Sequence, residues 1–206
     1  MGTQRITSWF SYNLVGRLFP QIIGFLTIPF ILQKLDRSSF GEFGIFMSSL
    51  FLLGLLDFGI SKALVKQLNQ NTNILFNDKK NHSSAYWSIF LFQFFIGFSL
   101  ASCIFVSTIL FVDPASITLF NIDNHYFIFI SIFAFGMIIS SGVSRAFLEA
   151  RNEFMQLNFI KTIFGSLMYL SPILCLIFFN QGFIILIAIS VKAFESAVFM
   201  IYVMIK

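Results

Sequence analysis

Two apolar runs near the C-terminus of the chain decide the fold. Residues 155–179 read MQLNFIKTIFGSLMYLSPILCLIFF, and residues 182–205 read GFIILIAISVKAFESAVFMIYVMI. A helix needs about 20 apolar residues to cross the hydrocarbon core of a bilayer, and both runs exceed that length. The connection between them, Asn180-Gln181-Gly182, is short and polar. The two runs therefore predict a pair of transmembrane helices joined by a tight turn.

Similar runs precede this pair and are found, in chain order, at about 7–32, 41–65, 85–112 and 126–148. The first run is too long for a cleaved signal peptide, and it contains Arg17, Pro20 and Pro29. No low-complexity linker or shift in composition divides the chain. The sequence therefore predicts an all-α integral membrane protein in which residues 1–206 form a single unit of six transmembrane helices.

The composition also indicates a membrane protein. Of 206 residues, 57% are hydrophobic and 11% are charged, against roughly 25% charged residues in an ordinary soluble domain. The mean hydropathy is +0.87. So little polar surface excludes a soluble enzyme, a nucleic-acid-binding protein and a disordered chain. Cys103 and Cys175 lie in apolar runs, and His82 and His125 lie in connections, so neither a disulfide framework nor a metal site is predicted.

The distribution of basic residues predicts the orientation in the membrane. With the N-terminus inside, eight basic residues fall on the cytoplasmic side: Arg5, Lys62, Lys66, Lys79, Lys80, Arg145, Arg151 and Lys206. The outer side holds only Lys34 and Arg37. Because cytoplasmic loops of membrane proteins are enriched in Lys and Arg, both termini are predicted to be cytoplasmic.

Five charged residues lie well inside the predicted spans, away from their ends: Arg17, Asp57, Lys161, Lys192 and Glu195. Each would cost at least about 2.5–3.5 kcal/mol at the centre of a lipid-facing helix, so they are predicted to face a cavity or one another. Several share a helical stripe with other polar residues: Asn13, Arg17 and Gln21; Ser141, Arg145 and Glu149; Asn158 and Lys161. Gly16, Pro20 and Gly24 form a stripe of small residues suited to close helix packing.

Some of these charges also have structural interpretations. Arg145 and Glu149 lie near a helix end and could reach the headgroups by snorkelling. Lys192 and Glu195 could form an intrahelical ion pair, and Asp57 could cap a helix or form an ion pair. Arg17 and Lys161 lie about two or more turns from the nearer membrane face, which favours a cavity-lining role.

No motif in the sequence predicts an enzyme. The chain has no P-loop, no His-Glu-x-x-His and no Gly-x-Ser-x-Gly. No cofactor is predicted either. The main chemical feature is a net-cationic set of polar residues within an apolar bundle.

A series of loose motifs, read in order, resembles a known transporter family. They are Asn13-Leu-Val-Gly-Arg17 with Pro20, Leu26-Thr-Ile-Pro29-Phe-Ile-Leu32, Phe40-Gly41-Glu42-Phe43-Gly44, Leu55-Leu-Asp57-Phe-Gly59-Ile, and Ser144-Arg145-Ala-Phe-Leu-Glu149-Ala-Arg151-Asn-Glu-Phe154 followed by Asn158. In this order and spacing, they resemble the Wzx-type oligosaccharide flippases of the multidrug/oligosaccharidyl-lipid/polysaccharide exporter superfamily.

The resemblance implies a MATE-like architecture of two six-helix lobes that work by alternating access. This chain ends at Lys206, where the first lobe would end, so we expect a half or truncated transporter that pairs with a second lobe or a second copy. The implied activity is translocation of polyprenyl-diphosphate-linked oligosaccharides across the bacterial cytoplasmic membrane, for O-antigen (lipopolysaccharide) or capsule synthesis.

The resemblance also suggests roles for the polar residues. Cations could offset desolvation of the diphosphate, and the candidates are Arg17, Lys161 and Lys192. Polar candidates for sugar contact are Asn13, Gln21, Asn158 and Tyr169. Asp57 and Glu195 are candidates for ion or proton coupling, and Arg145 and Glu149 for conformational or interface roles.

Three other classes of protein remain open. A drug or cation exporter of the same superfamily would favour a net-acidic cavity, whereas the basic excess here opposes it. A membrane glycosyltransferase or polymerase would need a sizeable catalytic loop, and the connections in this chain are short. The chain could also be an inactive remnant or an accessory subunit.

Overall fold

The fold is helical throughout the part of the chain that the structure describes. A computed structural model describes residues 2–53, 59–70, 79–111, 125–178 and 183–205. Within these ranges are seven α-helices and no strand: α1 (Gly2–Lys34), α2 (Arg37–Leu53), α3 (Ile60–Gln70), α4 (Lys79–Phe111), α5 (His125–Ala150), α6 (Phe154–Phe178) and α7 (Ile184–Ile205). The all-α prediction is confirmed for these residues.

Four of the described helices contain a segment long and apolar enough to cross a membrane: Tyr86–Ser107, Phe129–Ala150, Phe154–Phe178 and Ile184–Ile205. In α1 the apolar stretch Leu18–Lys34 is shorter. Large apolar side chains are exposed on several helices, among them Phe25 on α1 and Phe95 on α4. Such extensive apolar exposure fits contact with lipid rather than with water. The chain is a membrane protein, and the count of six spans stays a prediction.

The second predicted span, 41–65, is not one uninterrupted helix. α2 ends at Leu53, and Gly59 has a left-handed backbone with φ 75° before α3 begins. Glycine adopts this conformation readily because it has no Cβ. α3 is amphipathic, with Leu64 and Leu68 buried and Lys62 and Lys66 exposed. Its pattern is that of a helix packed along one face rather than one immersed in lipid.

α1 and α6 run parallel and approach each other closely. A Cβ on Gly16 would lie 2.8 Å from Asn158 Oδ1, and a Cβ on Gly24 would lie 2.8 Å from Tyr169 Cε1. Because the contact positions rise together along both helices, the two helices point the same way. The predicted small-residue stripe is thus confirmed as a packing face, where the lack of side chains lets the backbones come together.

α4 and α5 pack in the opposite sense. The hydroxyls of Tyr86 and Ser144 are hydrogen-bonded at 2.8 Å, and the rings of Phe94 and Phe133 lie 5.5 Å apart between centroids. As the residue number of the contact increases along α4, that of its partner decreases along α5, so these helices are antiparallel. The end of α5, the start of α6 and the end of α7 share one apolar core, and the start of α5, the end of α6 and the start of α7 share the other, so α6 is antiparallel to both α5 and α7. Helices α4 to α7 therefore alternate in direction, and the six-span topology stays a prediction.

Two apolar cores lie at opposite ends of the bundle. One, the α3-end core, joins α3 to the start of α4, the end of α5, the start of α6 and the end of α7: Leu64, Leu68, Tyr86, Phe90, Val143, Phe147, Leu157, Phe199 and Val203 are among its members. The other, the α2-end core, includes Ile31, Leu35, Phe43, Phe46, Cys175, Ile184, Ile185 and Ile189. The polar residues of α5, α6 and α7 lie between these cores.

Candidate functional site

A cavity of about 410 Å³ lies between α2, α3, α5, α6 and α7. Its lining residues come from all five helices: Leu50, Ser61, Lys62, Ile138, Ile139, Ser141, Gly142, Arg145, Ala146, Glu149, Lys161, Lys192, Glu195 and Ser196. Helices α5, α6 and α7 each supply charged groups to it. The cavity is therefore the place where the bundle gathers charges that would be costly in lipid.

The cavity is cationic. Among the described residues, four basic side chains (Lys62, Arg145, Lys161 and Lys192) and two carboxylates (Glu149 and Glu195) line it, which gives these residues a formal net charge of +2. A low-dielectric surrounding strengthens electrostatic interactions relative to water. An anion that enters is therefore attracted, and a cation is repelled.

One cation and one carboxylate of the cavity are already paired. Lys192 Nζ and Glu195 Oε2 lie 2.6 Å apart, one turn along α7. The side chains retain 26% and 10% of their exposure, respectively. Ser196 Oγ donates to the carbonyl of Lys192 at 3.0 Å. The intrahelical pair considered from the sequence is therefore present, and it lies on the cavity wall.

Arg145 points into the bundle rather than toward the nearby end of α5. Its Nε donates to the carbonyl of Ser141 at 3.4 Å, and its Nη2 donates to Ser141 Oγ at 3.3 Å. Side chains of an α-helix lean toward the helix N-terminus, which from Arg145 leads away from Ala150, the last residue of α5. This geometry differs from the snorkelling interpretation, in which the guanidinium would reach out to the headgroups.

The turn between α5 and α6 fixes how the charges of these helices face each other. Asn152 has φ 59°, its N–H donates to the carbonyl of Glu149 at 3.0 Å, and the N–H of Glu153 donates to the carbonyl of Leu148 at 2.9 Å. These are the two hydrogen bonds of a Schellman motif with a left-handed C′ residue, a position that Asn tolerates. The motif therefore fixes the position of α6, and with it Lys161, relative to the charged residues of α5.

The structure brings five of the residues singled out from the sequence together at this cavity: Arg145, Glu149, Lys161, Lys192 and Glu195. Others lie elsewhere. Gln21 is exposed on α1, and Asn158 is buried with its Nδ2 donating to the carbonyl of Phe154 at 2.8 Å. Tyr169 packs against Gly24. The side chains of Asn13 and Arg17, and the whole of Asp57, lie outside the described residues.

Sequence reasoning did not assign Lys62 to the site. The distribution of charges predicts only that Lys62 lies on the cytoplasmic side, yet it lines the cavity beside Ser61. The amphipathic pattern of α3 was the available signal, because it shows a helix that packs on the bundle. Among the described residues, those of the cavity included, no group of three His, Cys, Asp or Glu side chains is placed to hold a metal ion.

Comparison with known proteins identifies the family. A family model described as "Polysaccharide biosynthesis protein" matches residues 7–206, which is nearly the whole chain. Searches of curated proteins and of solved structures each returned no significant match. The match covers all five helices that line the cationic cavity, and α1 from residue 7 onward. The chain therefore belongs to the polysaccharide biosynthesis protein family.

Proposed function

We propose that this protein translocates polyprenyl-diphosphate-linked oligosaccharides across the bacterial cytoplasmic membrane for surface polysaccharide synthesis, and that the cationic cavity receives the diphosphate. The observation that carries the proposal is a cavity with formal charge +2 inside an apolar bundle. Family membership supplies the polysaccharide context. Lipid-exposed helices supply the context of the membrane.

The charges fit a diphosphate better than the alternatives. A diester of diphosphoric acid carries two negative charges, and removing it from water is costly unless cations replace the lost hydration. Arg145 offers a planar fork of donors for phosphate oxygens, and Lys161 offers a compact point charge. A drug or metal cation would meet net repulsion in the same place. The cavity thus favours the flippase over the cation exporter.

The remaining candidates keep the roles given by the sequence. Arg17, Lys161 and Lys192 bind the diphosphate, whereas Asn13, Gln21 and Asn158 contact sugars. Asp57 and Glu195 take part in ion coupling. Arg145 and Glu149 link substrate binding to helix movement. The polyprenyl chain stays in lipid beside the bundle, because burying it in the protein would gain little over the membrane.

The proposal includes a partner that completes the transporter. Polar stripes that face lipid carry an insertion penalty, and α1 presents Gln21 on an exposed face. A second lobe, or a second copy of this chain, covers that face. Two identical copies would bring like charges together, so a complementary lobe is the better partner. Both termini lie in the cytoplasm.

The test is complementation of a flippase-deficient strain by the chain together with a second lobe. Lys161→Ala should lower surface polysaccharide at least about tenfold, as expected for a lost charge contact of about 1.4 kcal/mol. Lys66→Ala is the matched control, because Lys66 is exposed on α3 and does not line the cavity. Equal surface polysaccharide from the two variants, at equal expression, would contradict the proposal.

A further inference from the structure

The pairing of Lys192 with Glu195 has a consequence for the substrate. Lys192 already has a negative partner in the cavity. Glu195 lies one turn further along α7, and its Oε2 is 2.6 Å from Lys192 Nζ. Lys192 keeps 26% of its side-chain exposure, so an incoming anion can approach the ammonium group, but it shares that charge with Glu195 unless it displaces the carboxylate. The empty cavity is thereby spared an uncompensated charge, which would be expensive at this depth.

Resting on the proposed function, we infer that Glu195 is a built-in counter-ion that sets a charge threshold for the substrate. Glu195 is paired with Lys192 in the empty transporter, and it is displaced by an anion that binds Lys192 more strongly than a carboxylate does. The residue thus determines specificity without being the group that binds the phosphate. Its role is to compete.

The charges that face the pair explain which anions pass the threshold. Lys62, Arg145 and Lys161 line the same cavity, and Glu149 opposes them. An anion with one charge that replaces Glu195 exchanges one ion pair for another and leaves a displaced carboxylate nearby, so it gains little. An anion with two charges replaces Glu195 beside Lys192 and engages a second cation of the cavity at the same time.

This threshold separates the two kinds of lipid headgroup that reach the cavity. A headgroup with one phosphodiester carries a single negative charge. A diphosphate-linked carrier has two adjacent charges. Competition by Glu195 disfavours the singly charged headgroup and allows the diphosphate to bind. The carboxylate thus provides specificity by opposing the wrong ligand.

Calorimetric titration of the full chain in nanodiscs of zwitterionic lipid tests the inference. The probes are dimethyl diphosphate, with two charges, and dimethyl phosphate, with one. The wild type should bind the first at least about tenfold more tightly than the second. Glu195→Gln should bind dimethyl diphosphate at least about tenfold more tightly than the wild type does, and it should bind dimethyl phosphate with a larger gain, so that the difference between the two probes narrows. Glu42→Gln removes a carboxylate on α2 that does not line the cavity, and it should leave both affinities unchanged.

A double variant separates competition from a merely structural effect. In the Lys192→Ala background, Glu195→Gln should give no gain in affinity, because the contested cation is absent. If the wild type binds dimethyl diphosphate and Glu195→Gln binds it no more tightly, the counter-ion role of Glu195 is wrong. The proposed function is unaffected by that result. Absence of diphosphate binding in every variant, with intact thermal unfolding, would overturn the proposed function itself.

Discussion

Gly165 of α6 lies directly against the ring of Pro20 of α1, so that a Cβ at position 165 would stand 2.9 Å from Pro20 Cγ. The proline ring is rigid and cannot turn aside as a flexible side chain could. The contact is one of three that hold α1 parallel to α6, together with those of Gly16 and Gly24. Proline and glycine here act as complementary packing surfaces, and neither needs to bend its helix to do so.

Gly165→Ala is expected to destabilise the bundle by about 1–3 kcal/mol, the usual effect of overpacking a tight contact. The gain in helix propensity, up to about 1 kcal/mol, offsets only part of this. Gly44→Ala is the control, because a Cβ there meets nothing within 4 Å in the described structure and should be neutral or stabilising. Thermal unfolding in the same detergent measures both. Equal unfolding temperatures would show that α1 and α6 do not pack as described.

The alternation of helix directions predicts a definite topology. Reporter fusions after Lys80 and after Arg151 should be cytoplasmic, and a fusion within 113–125 should be external. The physical reason is the concentration of basic residues at the end of the bundle that holds the α3-end core. An external signal after Lys80 would reverse the orientation. Signals on the same side from all three fusions would contradict the alternation itself.

Arg17 provides a test of the anion site on α1. Arg17→Ala, if the guanidinium contacts the diphosphate, should lower transport about tenfold at normal expression. Arg17→Lys should restore only part of the activity, because lysine keeps the charge and loses the bidentate fork. Surface polysaccharide in the complemented strain is the measurement. Full transport in the Arg17→Ala/Lys161→Ala double variant would return both residues to a structural role.

Asp36 at the start of α2 makes one contribution to stability depend on pH. The N–H of Ser39 donates to Asp36 Oδ1 at 3.2 Å, and hydrogen bonds from the Ser39 side chain and backbone lower the pKa of this carboxyl below its ordinary 3.8. A carboxyl with a lowered pKa stabilises the native state above its unfolded pKa, and the contribution disappears as the pH falls through the folded value.

The wild type should therefore lose this part of its stability below about pH 4. Asp36→Asn caps the helix equally well without titrating, so its unfolding temperature should not follow this component of the pH profile. Asp36→Ala should be less stable than the wild type at neutral pH and should converge on it in acid. Because the carboxyl is fully exposed, the effect is small. Parallel pH profiles for all three proteins would contradict the cap.

The apolar runs predicted the helices of the C-terminal half well. The predicted spans 126–148, 155–179 and 182–205 match His125–Ala150, Phe154–Phe178 and Ile184–Ile205 within two residues at each end. Long runs leave little freedom in where a helix begins and ends. The span 41–65 was less predictable because hydropathy averages over Gly59, whose left-handed backbone precedes α3, a helix of different character from α2.

The membership of the cavity was harder to predict than the helices. Helical spacing placed Arg145 and Glu149 on one stripe and Lys192 beside Glu195, since these are local relationships. That the two stripes meet across one cavity depends on how α5, α6 and α7 pack. Lys62 joins them through the packing of α3, which the amphipathic pattern of that helix indicates without specifying its position on the bundle. The orientation of Arg145 toward Ser141 likewise depends on side-chain geometry that spacing does not specify.

The parallel pairing of α1 with α6 makes demands on biogenesis. Gly16 leaves the ribosome long before Asn158, and at about 5–20 residues per second the delay is on the order of ten seconds. Throughout that time α1 lies in the membrane with its glycine and proline surface uncovered. Insertion of the first helix and completion of its packing are therefore separate events, and an insertase or a transient neighbour has time to occupy the surface that α6 later takes. A ribosome-stalled chain ending near residue 150 would expose this surface to cross-linking, and one that includes α6 would protect it.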